Sequence, residues 1–278
     1  MEVTPLTKQR DLVKHVMQYR YARLMETADP DIRMILNGAS RPHASAWKTA
    51  PPNPEFMLDS MDFRLCVRRN LRVTIFDSPR DCKCLLAEVD VYGDHALSCK
   101  PDGGVVGRHD AICRVIHRLI REALYDCATE LTYDLPGAGK KTYRADLVVV
   151  MPIPGVTTRK ALLDVTVINP TAKYLAKAAS KDPEVAMNAG IDSKHYKIDV
   201  EKINELGFDF LPLSFEATGG FDANTENACL FFLGEKAKFQ NREFAEVSAE
   251  FWHSLSIVIQ RWTAHMIRNR LYEATTQV

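Results

Sequence analysis

Apolar residues recur at helical spacing towards both ends of the chain, whereas its middle carries short apolar runs bounded by turn residues. The helical spacing predicts helices over 7–24, 55–71 and 110–125. Two more helices, over 225–239 and 245–273, close the chain, and the last carries one broad apolar face. The proline-rich stretch between the first two long helices is expected to be an ordered loop or a linker.

The middle of the chain carries β-branched runs that predict four strands, over 128–134, 142–151, 160–168 and 208–216. Tight turns join the first three, which therefore form an antiparallel meander. The fourth follows a helical segment over 184–205, and such a crossover lets it pair parallel to an earlier strand. The pattern predicts an α/β fold, with a mixed sheet flanked by helices on both faces.

The composition is that of an ordinary globular protein, with 46% hydrophobic residues, 26% charged residues and a formal net charge of zero. The neutral balance counts mildly against a nucleic-acid-binding protein, although local clusters of charge matter more than the total. No apolar run is long enough to span a membrane, so no membrane association is expected. Seven cysteines without a regular framework indicate a reducing, intracellular compartment.

Two aspartates lie near the starts of neighbouring predicted strands. Asp146 begins one apolar run, and Asp164 lies eighteen residues later in the next. A buried strand usually excludes aspartate, because an uncompensated carboxylate in an apolar layer is costly. The pair therefore predicts convergence on a divalent metal ion held by oxygen ligands. The alternative is two strand-entrance aspartates, each satisfied by a backbone amide.

Glu130 on the preceding strand and Lys194 on the following helix extend this pair into an arrangement for metal-assisted phosphodiester hydrolysis. The carboxylates hold Mg²⁺ or Mn²⁺, the metal activates a water molecule, and the lysine orients that water or neutralises the phosphate. Thr166 occupies the position where nucleases usually carry a lysine, so the cation has to come from elsewhere. Lys194 and Lys197 are the nearest candidates, and the alternative for each is an ordinary surface lysine.

A second group of chemistry-bearing residues comprises Cys82, Cys84, His95 and Cys99. Three thiols and one imidazole within a short segment predict a zinc site. A loop-rich segment with little apolar content needs such a metal, because it cannot form a core alone. The single residue between the first two cysteines makes the ligand geometry harder, and the alternative is three reduced cysteines with a surface histidine. The remaining cysteines are interpreted as core residues.

Basic residues cluster at two further places. Arg64, Arg68 and Arg72 lie mostly on one face of the second predicted helix, as either a phosphate-contacting stripe or a solvated face. Arg108 and His109 precede the third helix, where a basic pair opposes the helix dipole unless it meets an anion. Three roles are open for His109: support of a metal ligand, contact with phosphate, or a purely structural role.

These motifs follow one another in a fixed order. The ordered set resembles the C-terminal region of non-LTR retrotransposon polyproteins, in which a zinc knuckle precedes a restriction-like endonuclease. The resemblance covers residues 40–270 and departs at the cysteine spacing, at the residue before Asp146, and at the missing lysine beside Asp164. The motifs are Cys82-x-Cys84, His95-x3-Cys99, Arg108-His109-Asp110, Arg144-Ala145-Asp146, Asp164-Val165-Thr166-Val167, Phe210-x-Pro212-Leu213 and Glu216-x2-Gly219-Gly220.

The resemblance implies a metal-dependent DNA endonuclease of the PD-(D/E)XK type, derived from or belonging to a retrotransposon-type element. In it, Asp146 and Asp164 bind Mg²⁺ or Mn²⁺, Glu130 assists them, and Lys194 activates the water. The domains expected are a helical region over 1–80, a zinc knuckle over 81–104, a restriction-endonuclease-like core over 105–220 and closing helices over 221–278. DNA contacts are expected from Arg64, Arg68, Arg72, Arg108, His109, Arg144 and Lys197.

The same resemblance sets the expected surroundings of the protein. The partners implied are DNA, a second copy of the chain and a reverse transcriptase encoded elsewhere, and the location implied is the nucleus. The alternative function is a catalytically silent, zinc-containing module that binds nucleic acid. The neutral charge and the threonine at position 166 favour this alternative, whereas the retained acidic groups on buried strands favour the enzyme.

Overall fold

A four-stranded mixed sheet lies at the centre of the fold. The computed structural model describes residues 9–133, 143–151, 159–196, 198 and 200–273. The strands are β1 (Arg80–Asp81), β2 (Glu88–Val89), β3 (Asp126–Thr129), β4 (Thr132–Tyr133), β5 (Tyr143–Arg144), β6 (Leu147–Met151), β7 (Arg159–Ile168) and β8 (Phe208–Glu216). The helices are α1 (Gln9–Thr27), α2 (Pro30–Ala39), α3 (Ser60–Asn70), α4 (Gly104–Glu122), α5 (Ala176–Ala179), α6 (Val185–His195), α7 (Val200–Glu205), α8 (Ala223–Gln240) and α9 (Phe244–Glu273).

The central sheet has the strand order β3-β6-β7-β8. β3, β6 and β7 pair antiparallel, whereas β8 pairs parallel to β7. The predicted meander and the predicted parallel fourth strand are therefore confirmed, as is the mixed α/β architecture. In the register, Leu147 lies opposite Leu163, and Asp164 lies opposite Pro212. The neighbouring Asp146 consequently lies at the end of the β6–β7 ladder, beside Asp164.

The two faces of the sheet are covered by different helices. Leu163 and Val165 on β7 belong to the main core, which α4, α8 and α9 complete. Leu162 points to the opposite face, into a smaller apolar cluster beneath α6 and α7. Since successive side chains alternate between the faces of a strand, Asp164 shares the face of Leu162 and lies beneath α6.

Gly190 lets α6 lie close against this face. A Cβ atom at that position would lie 2.7 Å from Ser214 Oγ and 2.9 Å from both Ile168 Cγ1 and Thr166 Cγ2. All three neighbours belong to β7 or β8. The close approach sets the height of the helix above the sheet, and thereby the position of Lys194 one helical turn later.

α9 joins the N-terminal part of the chain to the sheet. It packs against α3, α4 and α8, and against the short 3₁₀ helices Ala46–Lys48 and His95–Leu97. Trp47, in the proline-rich stretch, is buried in this packing. The stretch is therefore an ordered part of the fold.

Two helices predicted from the sequence begin elsewhere in the structure. The helix predicted over 55–71 begins at Ser60, because the Asp59 carboxylate caps it by accepting hydrogen bonds from the amides of Met61 and Asp62. The helix predicted over 110–125 begins at Gly104 instead. Arg108 and His109 consequently lie inside α4, beyond its first turn.

α1 forms where a helix was predicted, but its apolar side chains are exposed to solvent. Leu12 is 52% exposed and Met17 is 56% exposed. The apolar residues of α1 are spread over more than half of the helix circumference, so no single side of the helix is apolar and ready to pack. Within the described residues, no helix is both long and apolar enough to cross a membrane.

Gly190→Ala is expected to lower the free energy of unfolding by about 1–3 kcal/mol, because the added methyl group overpacks the buried contact with β7 and β8. Gly234→Ala on α8 is the matched control, since nothing lies within 4 Å of its added Cβ. Alanine there favours the helix by up to about 1 kcal/mol. Urea denaturation measures both variants. An unchanged or raised midpoint for Gly190→Ala would show that close packing does not require glycine at position 190.

Candidate metal centres

The four predicted zinc ligands converge in the structure. Cys82 Sγ lies 3.5 Å from Cys99 Sγ, and Cys84 Sγ lies 3.3 Å from His95 Nε2. All four ligand atoms lie within 4.8 Å of one another. A tetrahedral zinc ion with the usual bond lengths places its ligand atoms about 3.4–3.8 Å apart. This cluster can therefore bind zinc, and its one-residue cysteine spacing is no obstacle.

A tight turn explains how Cys82 and Cys84 reach the same point. Leu85 takes a left-handed φ of 57°, and its amide donates to the carbonyl oxygen of Cys82 at 2.9 Å. The amide of Leu86 lies 3.5 Å from Cys84 Sγ and donates to it. This hydrogen bond lowers the pKa of the Cys84 thiol, which favours the thiolate that a metal requires.

His95 is held by the loop that follows β2. The Asp90 carboxylate accepts hydrogen bonds from the amides of Tyr92, Asp94 and His95, at 2.9, 3.2 and 2.9 Å. Burial lowers the pKa of His95, so the imidazole is neutral and able to ligate a metal. The loop thus presents His95 at the start of a 3₁₀ helix, opposite the two cysteines of the turn.

The two predicted carboxylates meet where β6 and β7 diverge. The amide of Val165 donates to Asp146 Oδ2 at 2.8 Å, which holds the Asp146 carboxylate beside Asp164. Burial raises the pKa of Asp164, and the adjacent Asp146 raises it further. Burial, the largest single influence, raises the pKa of Asp146, but the interactions of this carboxylate with His109, Asp164 and Lys194 together outweigh burial and lower the Asp146 pKa. Two carboxylates this close share less than two negative charges unless a cation joins them.

Three donors surround the carboxylate pair. Lys194 forms an ion pair with Asp164 Oδ1, and the Tyr143 hydroxyl donates to Asp164 Oδ2. His109 Nε2 lies 3.0 Å from Asp146 Oδ2. The hydrogen bond to Asp146 raises the pKa of His109 to about 11. Of the predicted site residues, the structure therefore brings together Asp146, Asp164, Lys194 and His109.

Glu130 and Arg144 lie at the edge of this centre. The Glu130 carboxylate pairs with the Arg144 guanidinium at 3.6 Å, and both side chains are exposed. Glu130 takes a left-handed φ of 55° between β3 and β4, and its amide donates to the carbonyl oxygen of Asp146 at 3.0 Å. Glu130 thus contacts the backbone of Asp146, while its carboxylate is engaged by arginine.

Arg108 does not lie at the rim, so the prediction that it contacts phosphate is wrong. The residue is 1% exposed and donates to the carbonyl oxygen of Leu97 at 3.1 Å. Burial lowers the pKa of its guanidinium. The sequence placed it before the helix, but it lies within α4 on the side that faces the zinc-binding segment.

Arg72 is also wrongly predicted as a phosphate contact. α3 ends at Asn70, and Arg72 then turns inward with a φ of 56°. Its guanidinium pairs with Asp94 at 2.7 Å and lies 4.0 Å from the centre of the Tyr92 ring, leaving 8% of the side chain exposed. Arg64 and Arg68 remain exposed, so the predicted stripe loses its third member. Lys197 lies outside the described residues.

Sequence reasoning missed Tyr143 and Cys113. Tyr143 lies three residues before Asp146, and its hydroxyl reaches Asp164. Cys113 packs against the main core, as predicted, and it also lies beside His109, which is four residues earlier on α4. The spacing of four residues was the available signal, because it places both side chains on one helix face.

No family model matches this chain, and no curated protein matches it. The function is therefore inferred from the two centres themselves.

We expect the purified protein to retain close to one zinc ion per chain after dialysis against metal-free buffer, as measured by elemental analysis. Cys82→Ser removes one of four ligands, so zinc is expected to fall to a small fraction and thermal stability to drop with it. Cys127→Ser is the matched control, since that half-buried thiol lies on β3 and is expected to leave the zinc content unchanged. Equal zinc in the two variants would refute this ligand set.

Proposed function

We propose that the chain is a metal-dependent DNA endonuclease with a restriction-endonuclease-like core, related to retrotransposon-type elements. One observation carries the proposal. Asp146, Asp164 and Lys194 converge from two adjacent strands and a crossover helix, at the point where the strands diverge. A carboxylate pair with a lysine is the donor set that phosphodiester hydrolysis assisted by Mg²⁺ requires.

The carboxylate pair fits a hard divalent cation. Burial and the neighbouring Asp146 raise the pKa of Asp164, so a cation between the two carboxylates would favour their ionised forms. Asp146 and Asp164 would hold Mg²⁺ or Mn²⁺. The bound metal would supply a water molecule of lowered pKa and stabilise charge on the phosphate.

Lys194 supplies the cation that Thr166 cannot. Its ammonium group is paired with Asp164, and its side chain is only 15% exposed. An ammonium group held there can donate to an attacking water or to a phosphate oxygen. The close packing of α6 at Gly190 fixes the height of α6, and therefore of Lys194, above the sheet.

The remaining residues suit binding and positioning. Arg64, Arg68 and Arg144 are exposed and could contact phosphate, and such contacts orient a duplex without reading its sequence; Arg144 would then exchange its pairing with Glu130 for phosphate. His109 holds Asp146 through Nε2. The proposal also includes zinc at the cysteine and histidine cluster. The proposed partners are a second copy of the chain and a separately encoded reverse transcriptase, and the proposed location is the nucleus.

The second candidate is a silent module that only binds nucleic acid. One observation favours it: Lys194 and Tyr143 already engage both oxygens of Asp164. Both contacts compete with a metal ion for the lone pairs of the Asp164 carboxylate. Metal-dependent cleavage therefore decides between the two functions.

Asp146→Ala and Asp164→Ala are each expected to lower plasmid nicking in Mg²⁺ or Mn²⁺ by about 100-fold or more, since each removes a ligand of the metal that stabilises the developing charge. DNA binding, measured by fluorescence anisotropy, is expected to change little. Asp126→Ala is the control, because that aspartate on β3 is 85% exposed and pairs with Arg121. Absence of any cleavage by the unmodified protein in either metal leaves the silent module as the function.

Lys194→Ala is expected to lower the nicking rate by about 100-fold, as removal of a charge-stabilising donor does. Metal binding, measured by calorimetry, is expected to stay equal or to tighten, because a competing cation on Asp164 is lost. Lys238→Ala on α8 serves as the control, since that lysine is 76% exposed. Weaker metal binding with the rate unchanged would assign Lys194 a structural role only.

A further inference from the structure

A thiol lies beside the carboxylate centre, on the same face of α4 as His109. Cys113 Sγ lies 3.8 Å from His109 Nε2, and the same nitrogen lies 3.0 Å from Asp146 Oδ2. One donor atom from each of the three residues falls within 4.8 Å of the others. The separation of four residues on a helix places the histidine and the cysteine one turn apart, as in helical metal sites with ligands at this spacing.

The surroundings of His109 orient its ring for metal binding. His109 Nδ1 lies 3.0 Å from Asp110 Oδ1. A histidine that ligates a metal usually donates its other N–H to a carboxylate, which fixes the tautomer and the ring plane. Asp110 therefore holds the proton on Nδ1 and leaves Nε2 directed at Asp146. The amide of Val165, at 2.8 Å from Asp146 Oδ2, fixes the third ligand.

The chemistry of this set differs from that of the carboxylate pair. Mg²⁺ prefers oxygen ligands, whereas one nitrogen, one sulfur and one oxygen suit Zn²⁺ or Co²⁺. All three residues are half-buried, with 27% of the His109 side chain and 15% of the Asp146 side chain exposed. An ion can therefore enter from solvent, and three protein ligands leave a fourth position for water.

We propose that His109, Cys113 and Asp146 form a second transition-metal site, which takes Zn²⁺ or Co²⁺ and is distinct from the four-ligand zinc knuckle. Binding releases the thiol proton of Cys113 and the proton between His109 and Asp146 to solvent, and no electrons are transferred. With three protein ligands, this site holds its ion more weakly than the knuckle does.

Occupation of this site withdraws Asp146 from the Mg²⁺ centre. This consequence rests on the proposed nuclease function, because it concerns the same carboxylate. Micromolar Zn²⁺ is then an inhibitor of the Mg²⁺-dependent reaction, and a chelator that removes the weakly held ion restores it.

The test is a titration of the zinc-containing protein with Co²⁺, followed by the near-ultraviolet absorption of cobalt bound to thiolate. The unmodified protein is expected to bind one Co²⁺ equivalent more than Cys113→Ser. The cobalt–thiolate absorption of that extra equivalent is expected to be missing from the variant. Cys127→Ser, the control, keeps the full equivalent. Circular dichroism verifies the fold of each variant, and Cys113→Ala replaces the serine variant if that variant is unfolded. Equal cobalt binding by the unmodified protein and Cys113→Ser would overturn the site.

Plasmid nicking separates this inference from the proposed function. The ratio of rates without and with added Zn²⁺ is expected to be at least tenfold for the unmodified protein and close to one for Cys113→Ser. If the extra cobalt binds but no protein cleaves DNA, the second site stands and the nuclease proposal fails. If Mg²⁺-dependent cleavage occurs without the extra cobalt, the nuclease stands and the second site fails.

Discussion

Two aspartate carboxyl groups in contact at the end of one strand ladder impose the strongest constraint on this fold. Buried negative charges of this kind need donors from several directions. α4 contributes His109, α6 contributes Lys194, β5 contributes Tyr143, and β7 contributes the Val165 amide. The helices on both faces of the sheet are therefore tied to a single polar point, in addition to the apolar cores that they cover.

A second polar network joins the zinc-binding segment to the sheet. The side-chain amide of Asn169, just after β7, donates to the carbonyl oxygen of Asp94 at 3.0 Å and to Ser98 Oγ at 3.1 Å. Arg69 on α3 lies 3.5 Å from the Asp94 carboxylate. These contacts are buried, so breaking them leaves unpaired polar groups that cost free energy. The segment is consequently built into the fold, although its short elements have little core of their own.

The sequence predicts the strands of the central sheet and the carboxylate pair with its lysine. β8 forms over the predicted range 208–216, since its apolar run is bounded by glycine on both sides. The convergence of Asp146 and Asp164 follows from their places at the starts of neighbouring strand-like runs. The pairing with Lys194 could be predicted because Thr166 stands where nucleases usually carry a lysine, so that the positive charge had to come from a nearby element.

The errors have a common physical cause. Arg72 and Arg108 carry the same charge as Arg64, and nothing local tells a buried guanidinium from an exposed one. Burial is decided by distant partners, here Asp94 for Arg72 and the carbonyl of Leu97 for Arg108. The assignment of Cys113 to the core is correct, but its place beside the carboxylate pair depends on the packing of α4 near Asp146, which the sequence does not show.

Arg108 and His109 are neighbours on α4, yet they serve different parts of the molecule. Arg108 grips the backbone of the zinc-binding segment at Leu97, whereas His109 touches Asp146. The two residues connect the cysteine and histidine cluster with the carboxylate pair through a single peptide bond. A chimera that carried a foreign segment would keep this contact wherever its backbone follows the same path, because any residue in place of Leu97 offers a carbonyl oxygen. An exchange of the segment is therefore expected to succeed only where the path of the backbone at Leu97 is preserved.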